Sequence, residues 1–216
     1  MLLGVLWQKQ WQPGAWGEFL EAAALRSFSQ ARARPGPFLQ VTALHLAIGL
    51  AADRRHGTWV ALSWALAGSH LGLLDAQQNL GWADTVTLIR ANLPVLEDRL
   101  GRWIPVLALA SDWADGRIAR KLGAVTLFGQ HADFLADTAF WTWFMFQHET
   151  SRREKLLTFF AWAVPLGCIA ARSFATGRMV DIHRSRWLRP SAAIEVLIGA
   201  SAVRRLFCRN GAGRNT

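Results

Sequence analysis

The chain has 216 residues, enough for one domain of ordinary size, and 52% of them are hydrophobic, with 12 Trp and no Tyr. A soluble domain of this length rarely spends so much Trp, whereas a membrane interface favours a largely apolar ring that carries one N–H. The net charge of +9 and pI near 11.3 admit nucleic acid or an anionic bilayer, but the basic residues fall between apolar runs, as at Arg54, Arg55, Arg152, Arg153, Lys155, Arg184, Arg186 and Arg189, which suits lipid headgroups and argues against a nucleic-acid partner.

The N-terminal MLLGVLWQKQ has no basic residue ahead of its apolar stretch and no small-residue cleavage site, so no signal peptide is expected. Residues 18–28, EFLEAAALRSF, space apolar side chains as a helix does and read as an interfacial amphipathic helix or a solvated one. Pro35-Gly36-Pro37 closes this N-terminal region, residues 1–37, because two prolines remove donors and favour a turn. A membrane hairpin is expected over 38–75, from the runs 38–52 and 58–74 joined by DRRHG. Each run is somewhat shorter than the roughly twenty residues that cross hydrocarbon, and flanking Trp and Arg can extend it. His45 and His70, one on each arm, are expected to hydrogen-bond between helices.

Five further segments follow, at 86–96, 102–116, 123–146, 155–174 and 189–207, before a tail at 208–216. The segment at 86–96 is too short to span upright and is tilted or re-entrant. The predicted fold is an all-α, polytopic membrane helix bundle with about six to seven membrane segments, whose core occupies 83–207. With a cytoplasmic N-terminus, counting spans returns the DWADG end of the fourth segment to the cytoplasm, together with the basic loop at 177–189, as the positive-inside rule wants. Arg152, Arg153 and Lys155 then face outward, against that rule. Cys168 and Cys208 are too few and too far apart for a disulfide framework or zinc site, and Cys168 is expected to be a small buried hydrophobe.

Within this core, the run DWADGRIARKLGAVTLFGQHADFLAD carries Asp112, Asp115, Gly116, Ala119, Arg120, Gly129, Asp133 and Asp137 in the pattern D-x2-D-G-x2-A-R-x8-G-x3-D-x3-D. With each type at roughly one residue in fifteen, a chance match has odds on the order of one in ten million. Asp112 and Asp115 share a helix face, as do Asp133 and Asp137. Four carboxylates aimed at one point repel ruinously in an apolar setting unless cations join them, and oxygen ligands are what Mg²⁺ prefers. Gly116, Ala119 and Gly129 leave no bulky side chain in the groove between the helices. Arg120 could pair with a phosphate. His131 points off the aspartate face and reads as a packing or interfacial residue.

The run resembles the CDP-alcohol phosphotransferase (CDP-alcohol phosphatidyltransferase) family of integral membrane enzymes. The resemblance implies attack by an alcohol hydroxyl on the lipid-side phosphorus of a CDP-linked lipid, usually CDP-diacylglycerol, with release of CMP. It implies Asp112, Asp115, Asp133 and Asp137 as ligands of two Mg²⁺ or Mn²⁺ ions, with Asp137 also the general base. VTLIR at 86–90 resembles the family's T-x-x-R element, so Thr87 and Arg90 are expected to line the nucleotide site with Gly116, Ala119, Arg120 and Gly129. The interval from Thr87 to Asp112 is shorter than the family's usual one, which implies a shortened first hairpin. A homodimer is expected, in the plasma membrane with the site facing the cytoplasm.

Arg172 lies within an apolar run, where it either serves the acceptor alcohol or snorkels to the interface. Arg172 and Arg178 are the expected acceptor-pocket residues, and their charge favours a phosphorylated alcohol. Competing readings are a non-catalytic scaffold that binds lipid or metal, and a metal transporter, which would not need the D-G-x2-A-R segment.

Overall fold

The structure is a computed structural model describing residues 3–74, 79–122, 126–149, 151–176, 197–200 and 204, and all regular structure among them is helical. The N-terminal region forms α1, Leu3–Gln8, and α2, Pro13–Ala33, and a single residue, Arg34, separates α2 from α3, Pro35–Ala51. The prolines that end one helix open the next. Pro35 stands in the first turn of α3, where a missing N–H costs nothing because that donor has no intrahelical partner.

Asp53 accepts the Arg55 N–H in the turn that leads to α4, Gly57–Ser69. The same turn is tied to the short α6, Glu97–Leu100, by the Arg55–Asp98 pair, whose hydrogen bond holds the guanidinium above its ordinary range. The segment predicted at 86–96 is α5, Trp82–Ala91, followed by a 3-10 turn over Leu93–Leu96, because Pro94 cannot donate to a continuing helix. Next come α7, Ile104–Leu122, α8, Leu127–His148, and α9, Arg152–Thr176. The loop expected after DWADG is therefore shorter than the sequence implied. Helix α7 runs on through RIARKL, whose Ala, Arg, Lys and Leu are good helix formers, with Arg117 stacked 4.9 Å over Trp113 one turn back.

Among the described residues one helix, α9, is long and apolar enough to cross a membrane, and α3 is apolar but shorter. Helices α7 and α8 have 19 and 22 residues, about the length of a span at 1.5 Å per residue, but the aspartates lower their apolar content. Most of the segment expected at 189–207, the tail at 208–216 and Arg178 lie outside the described residues.

Two packed layers position the centre of the molecule. Ile104 and Ala108 of α7 meet Phe140, Trp141 and Met145 of α8, with Leu93 and Ile198 completing the cluster. On the other side, Val41 of α3 and Ala67 of α4 pack with Leu71, Leu74, Leu88 of α5 and Phe128 of α8. The N-terminal hairpin is thus part of the core. A buried polar network reinforces it: His45 donates from Nδ1 to the Val41 carbonyl (2.8 Å), its Nε2 lies 3.0 Å from Ser63 Oγ, and Asn92 Nδ2 donates to that oxygen (2.9 Å). Trp59 Nε1 adds a hydrogen bond to the Ala91 carbonyl at 3.0 Å.

Two expectations fail for one reason, the direction a residue takes on its helix. His70 bonds to its own helix, at the Leu66 carbonyl (2.8 Å), and among the described residues bridges no pair of helices. Cys168 is exposed, because α9 buries one stripe, Thr158, Trp162, Pro165 and Ile169, and turns the rest of its apolar surface outward. At the N-terminal end, α2 exposes Leu20, Leu25 and Phe28. Trp7 Nε1 donates to the Phe174 carbonyl at 2.7 Å, and Trp11 packs edge-on to the Phe174 ring, joining α1 to the end of α9.

Candidate active site

Helices α5, α7 and α8 bring the four motif aspartates around one side chain, Arg90. Its guanidinium is fully buried and lies 3.4 Å from Asp112, 2.7 Å from Asp115 and, through Nε, 2.9 Å from Asp137, with Asp133 paired at Nη2. The planar fork explains why arginine suits this place, since three nitrogens address four carboxylates in fixed directions. Thr87, one turn before Arg90, donates its hydroxyl to Asp115 Oδ2 at 2.8 Å. The T-x-x-R pair of α5 therefore holds Asp115 in place.

The carboxylates differ in access. The side chains of Asp115 and Asp137 are 6% and 12% exposed, while those of Asp112 and Asp133 are 42% and 41% exposed. Arg90 and Asp115 thus form a closed floor, with an open edge at Asp112 and Asp133. Asp112, Asp133 and Asp137 each present a ligand atom, all within 4.8 Å of one another, so these three could hold a metal ion. With all four ionised, one guanidinium offsets a quarter of their charge, and further cations would be strongly attracted.

Gly116 follows Asp115 on α7, and the backbones of Ala119 and Arg120 continue that helix, their side chains lying outside the described residues. Arg172 is exposed near the C-terminal end of α9. His131 Nδ1 donates to the Leu127 carbonyl of its own helix at 2.8 Å.

Gly129 faces something the sequence reading missed. A Cβ added there would stand 2.6 Å from Asp84 Oδ1 and 3.1 Å from Thr126 Oγ1. Asp84 is buried in the first turn of α5, accepting the Gly81 N–H at 3.1 Å and the Thr126 hydroxyl at 3.4 Å, and Thr126 caps α8 by accepting the Gly129 N–H at 2.8 Å. The glycine lets the start of α8 close onto α5. A carboxylate three residues before Thr87, in the same short helix, was the available signal. Gly129→Ala is accordingly expected to destabilise the protein by about 1–3 kcal/mol through overpacking, with partial recovery when Asp84→Ala is added. A Gly129→Ala protein that unfolds at the parental temperature would show that Asp84 moves aside freely.

The fold and the site define an all-helical protein built around a clustered-carboxylate centre. The model of the CDP-alcohol phosphatidyltransferase family matches residues 83–205, more than half of the chain, and the chain belongs to that family. Membership implies transfer of a phosphatidyl group from a CDP-alcohol, a step of phospholipid synthesis, by a membrane-associated transferase. No curated protein and no solved structure matches the chain. The match begins one residue before Asp84 and leaves the hairpin of α3 and α4 outside it.

Proposed function

We propose that the protein moves the phosphatidyl group of a CDP-linked lipid, CDP-diacylglycerol, to the hydroxyl of an acceptor alcohol and releases CMP. The observation that carries this reading is the grouping of Asp112, Asp133 and Asp137 within ligand distance of one another, at the open edge of a cluster in a family that uses such donors. Hard carboxylate oxygens in excess of the buried positive charge fit a hard divalent cation, which Asp112, Asp115, Asp133 and Asp137 would hold. When bound, Mg²⁺ or Mn²⁺, as two ions, would polarise the phosphoryl oxygens and offset charge on the departing CMP.

The remaining chemistry belongs to the chain's own side chains. Asp137 takes the proton of the acceptor hydroxyl as that oxygen bonds to the lipid-side phosphorus. The bond from this phosphorus to the bridging oxygen breaks, and the electron pair leaves with CMP. Thr87 and Arg90 keep Asp115 oriented beneath the reacting groups. Gly116, Ala119 and Arg120 border the nucleotide, with Arg120 directed to a phosphate. Arg172 and Arg178 serve a phosphorylated acceptor.

A bilayer location is supported by apolar side chains on the outside of the bundle, such as Leu39, Leu46 and Leu50 of α3, Leu62 and Leu66 of α4, and Leu157 and Phe160 of α9. The reading places six to seven segments in the plasma membrane, a homodimer, and a site open to the cytoplasm where cytidine nucleotides are supplied. Chelation is the direct test. CMP release from CDP-diacylglycerol in the presence of acceptor alcohols should stop with EDTA and return with Mg²⁺ or Mn²⁺. Undiminished turnover in chelator would refute the metal-assisted mechanism, and no turnover with any alcohol would favour a lipid-binding scaffold.

A further inference from the structure

A cavity of about 230 Å³ lies on the far side of the α5–α8 seam from the carboxylates, between these helices and α4. Its walls include Trp59, Leu62 and Leu66 of α4, Leu88 of α5, and Ala132 and Ala139 of α8. We propose that this cavity binds one hydrocarbon chain of a bilayer phospholipid, as a site separate from that of the reacting donor.

Three observations lead there. First, the volume exceeds the roughly 150 Å³ of an apolar cavity known to stay dry and admit benzene. Second, α4 is held at this distance by two hydrogen bonds to the end of α5. Trp59 is tied to the Ala91 carbonyl and Ser63 to Asn92, so collapse of α4 onto the small alanines of α8 would break buried polar contacts. Third, the cavity is edged by Leu62, Leu66 and Leu135, which are 60%, 50% and 38% exposed. These residues continue the outward apolar surface of α3 and α4, whose surroundings, on the bilayer location proposed above, are lipid. That medium supplies hydrocarbon and no water.

Other occupants fit less well. Of the described C-terminal residues, Ile198 packs on Ile104, Ala108 and Phe140, on the α7 side of α8. The donor is kept apart by the seam itself, which Asp84–Thr126, Arg90–Asp133 and Leu88–Phe128 close along its length. The chain would nonetheless be felt at the carboxylates. Leu88, Ala91, Ala132 and Ala136 line the cavity, and their immediate neighbours in sequence are Thr87, Arg90, Asp133 and Asp137.

The test uses the full chain in phosphatidylcholine–phosphatidylglycerol vesicles containing a trace of phosphatidylcholine with a photoreactive diazirine at mid-chain. Peptides are mapped by mass spectrometry after irradiation. Labelling of residues 59–70 and 128–139 should exceed that of the outward residues of α9, such as Leu157 and Phe160, by at least about fivefold. Ala139→Phe should fill the cavity, and Leu66→Trp, at a half-exposed edge that tolerates substitution, should obstruct it. Each should lower cavity labelling by at least about fivefold, roughly the loss of burial for one or two methylene groups, while α9 labelling stays constant. Uniform labelling of all outward surfaces would overturn the proposal. So would cavity labelling indifferent to both variants, or labelling obtained only with a diazirine-bearing CDP-diacylglycerol, which would assign the cavity to the donor. Cavity labelling without CMP release would leave this site standing and refute the transferase reading instead.

Discussion

Arg90→Met is expected to destabilise the protein by about 3–5 kcal/mol in chelator, the cost of leaving buried charges without their partner. Among the described residues the Arg90 guanidinium is the one side chain that touches all four motif carboxylates, and it is itself fully buried. Methionine fills similar space without a charge, so the aspartates would repel one another across a few ångströms. Their affinity for cations should rise in compensation. Added Mg²⁺ should therefore raise the unfolding temperature of Arg90→Met more than that of the parent, because a ligand bound to the folded state stabilises it in proportion to its affinity. Arg90→Lys should fall between the two, having a charge but no fork to address several carboxylates. Thermal unfolding of detergent-purified protein, with EDTA or Mg²⁺, reads all of this. A methionine variant as stable as the parent in EDTA would mean that Arg90 does not neutralise the cluster.

The second large effect concerns turnover. Asp137→Asn should reduce the rate of CMP release by about 10²–10⁴, the usual contribution of a positioned base, while nucleotide affinity changes only a few-fold. Asp137 suits the task because its carboxylate is mostly enclosed yet adjoins the open edge formed by Asp112 and Asp133. Asp133→Asn or Asp112→Asn should behave differently, weakening cation and donor binding together with the rate. Steady-state kinetics beside equilibrium nucleotide binding separates the two patterns. The assignment of the base fails if Asp137→Asn turns over at a near-parental rate, or if its only defect is in nucleotide affinity.

The carboxylate spacing and the centre it forms relate to sequence in different ways. Asp112 with Asp115, and Asp133 with Asp137, are pairs within one helix, so helical periodicity alone puts each pair on one face. Arg90 stands more than twenty residues upstream, and a T-x-x-R element reads equally well as a phosphate-binding group or a structural ion-pair hub. Charge balance could have favoured the hub, because four inward acids need a cation from somewhere. The same limit applies to Gly129. A missing side chain marks close approach by something, and helix geometry does not say whether the neighbour is a nucleotide or Asp84. For Cys168 and His70, an apolar run was read as burial and a polar residue within it as a bridge. A helix that buries one stripe and leaves the rest of its apolar surface exposed defeats both inferences.

By itself the sequence determined the helical class, the break at Pro35, the family over the aspartate motif, and the pairing of acids on helix faces. These are local properties, set by propensity, by proline's missing donor and by spacing against a fixed period. Tertiary structure alone decided that Arg90 lies under all four acids, that Asp84 occupies the space before Gly129, and that the hairpin outside the family match is bolted to α5 with an apolar cavity behind it. Each of these is a meeting of residues far apart in the chain, and it depends on how helices are turned and how closely they approach, which packing settles and no single segment encodes.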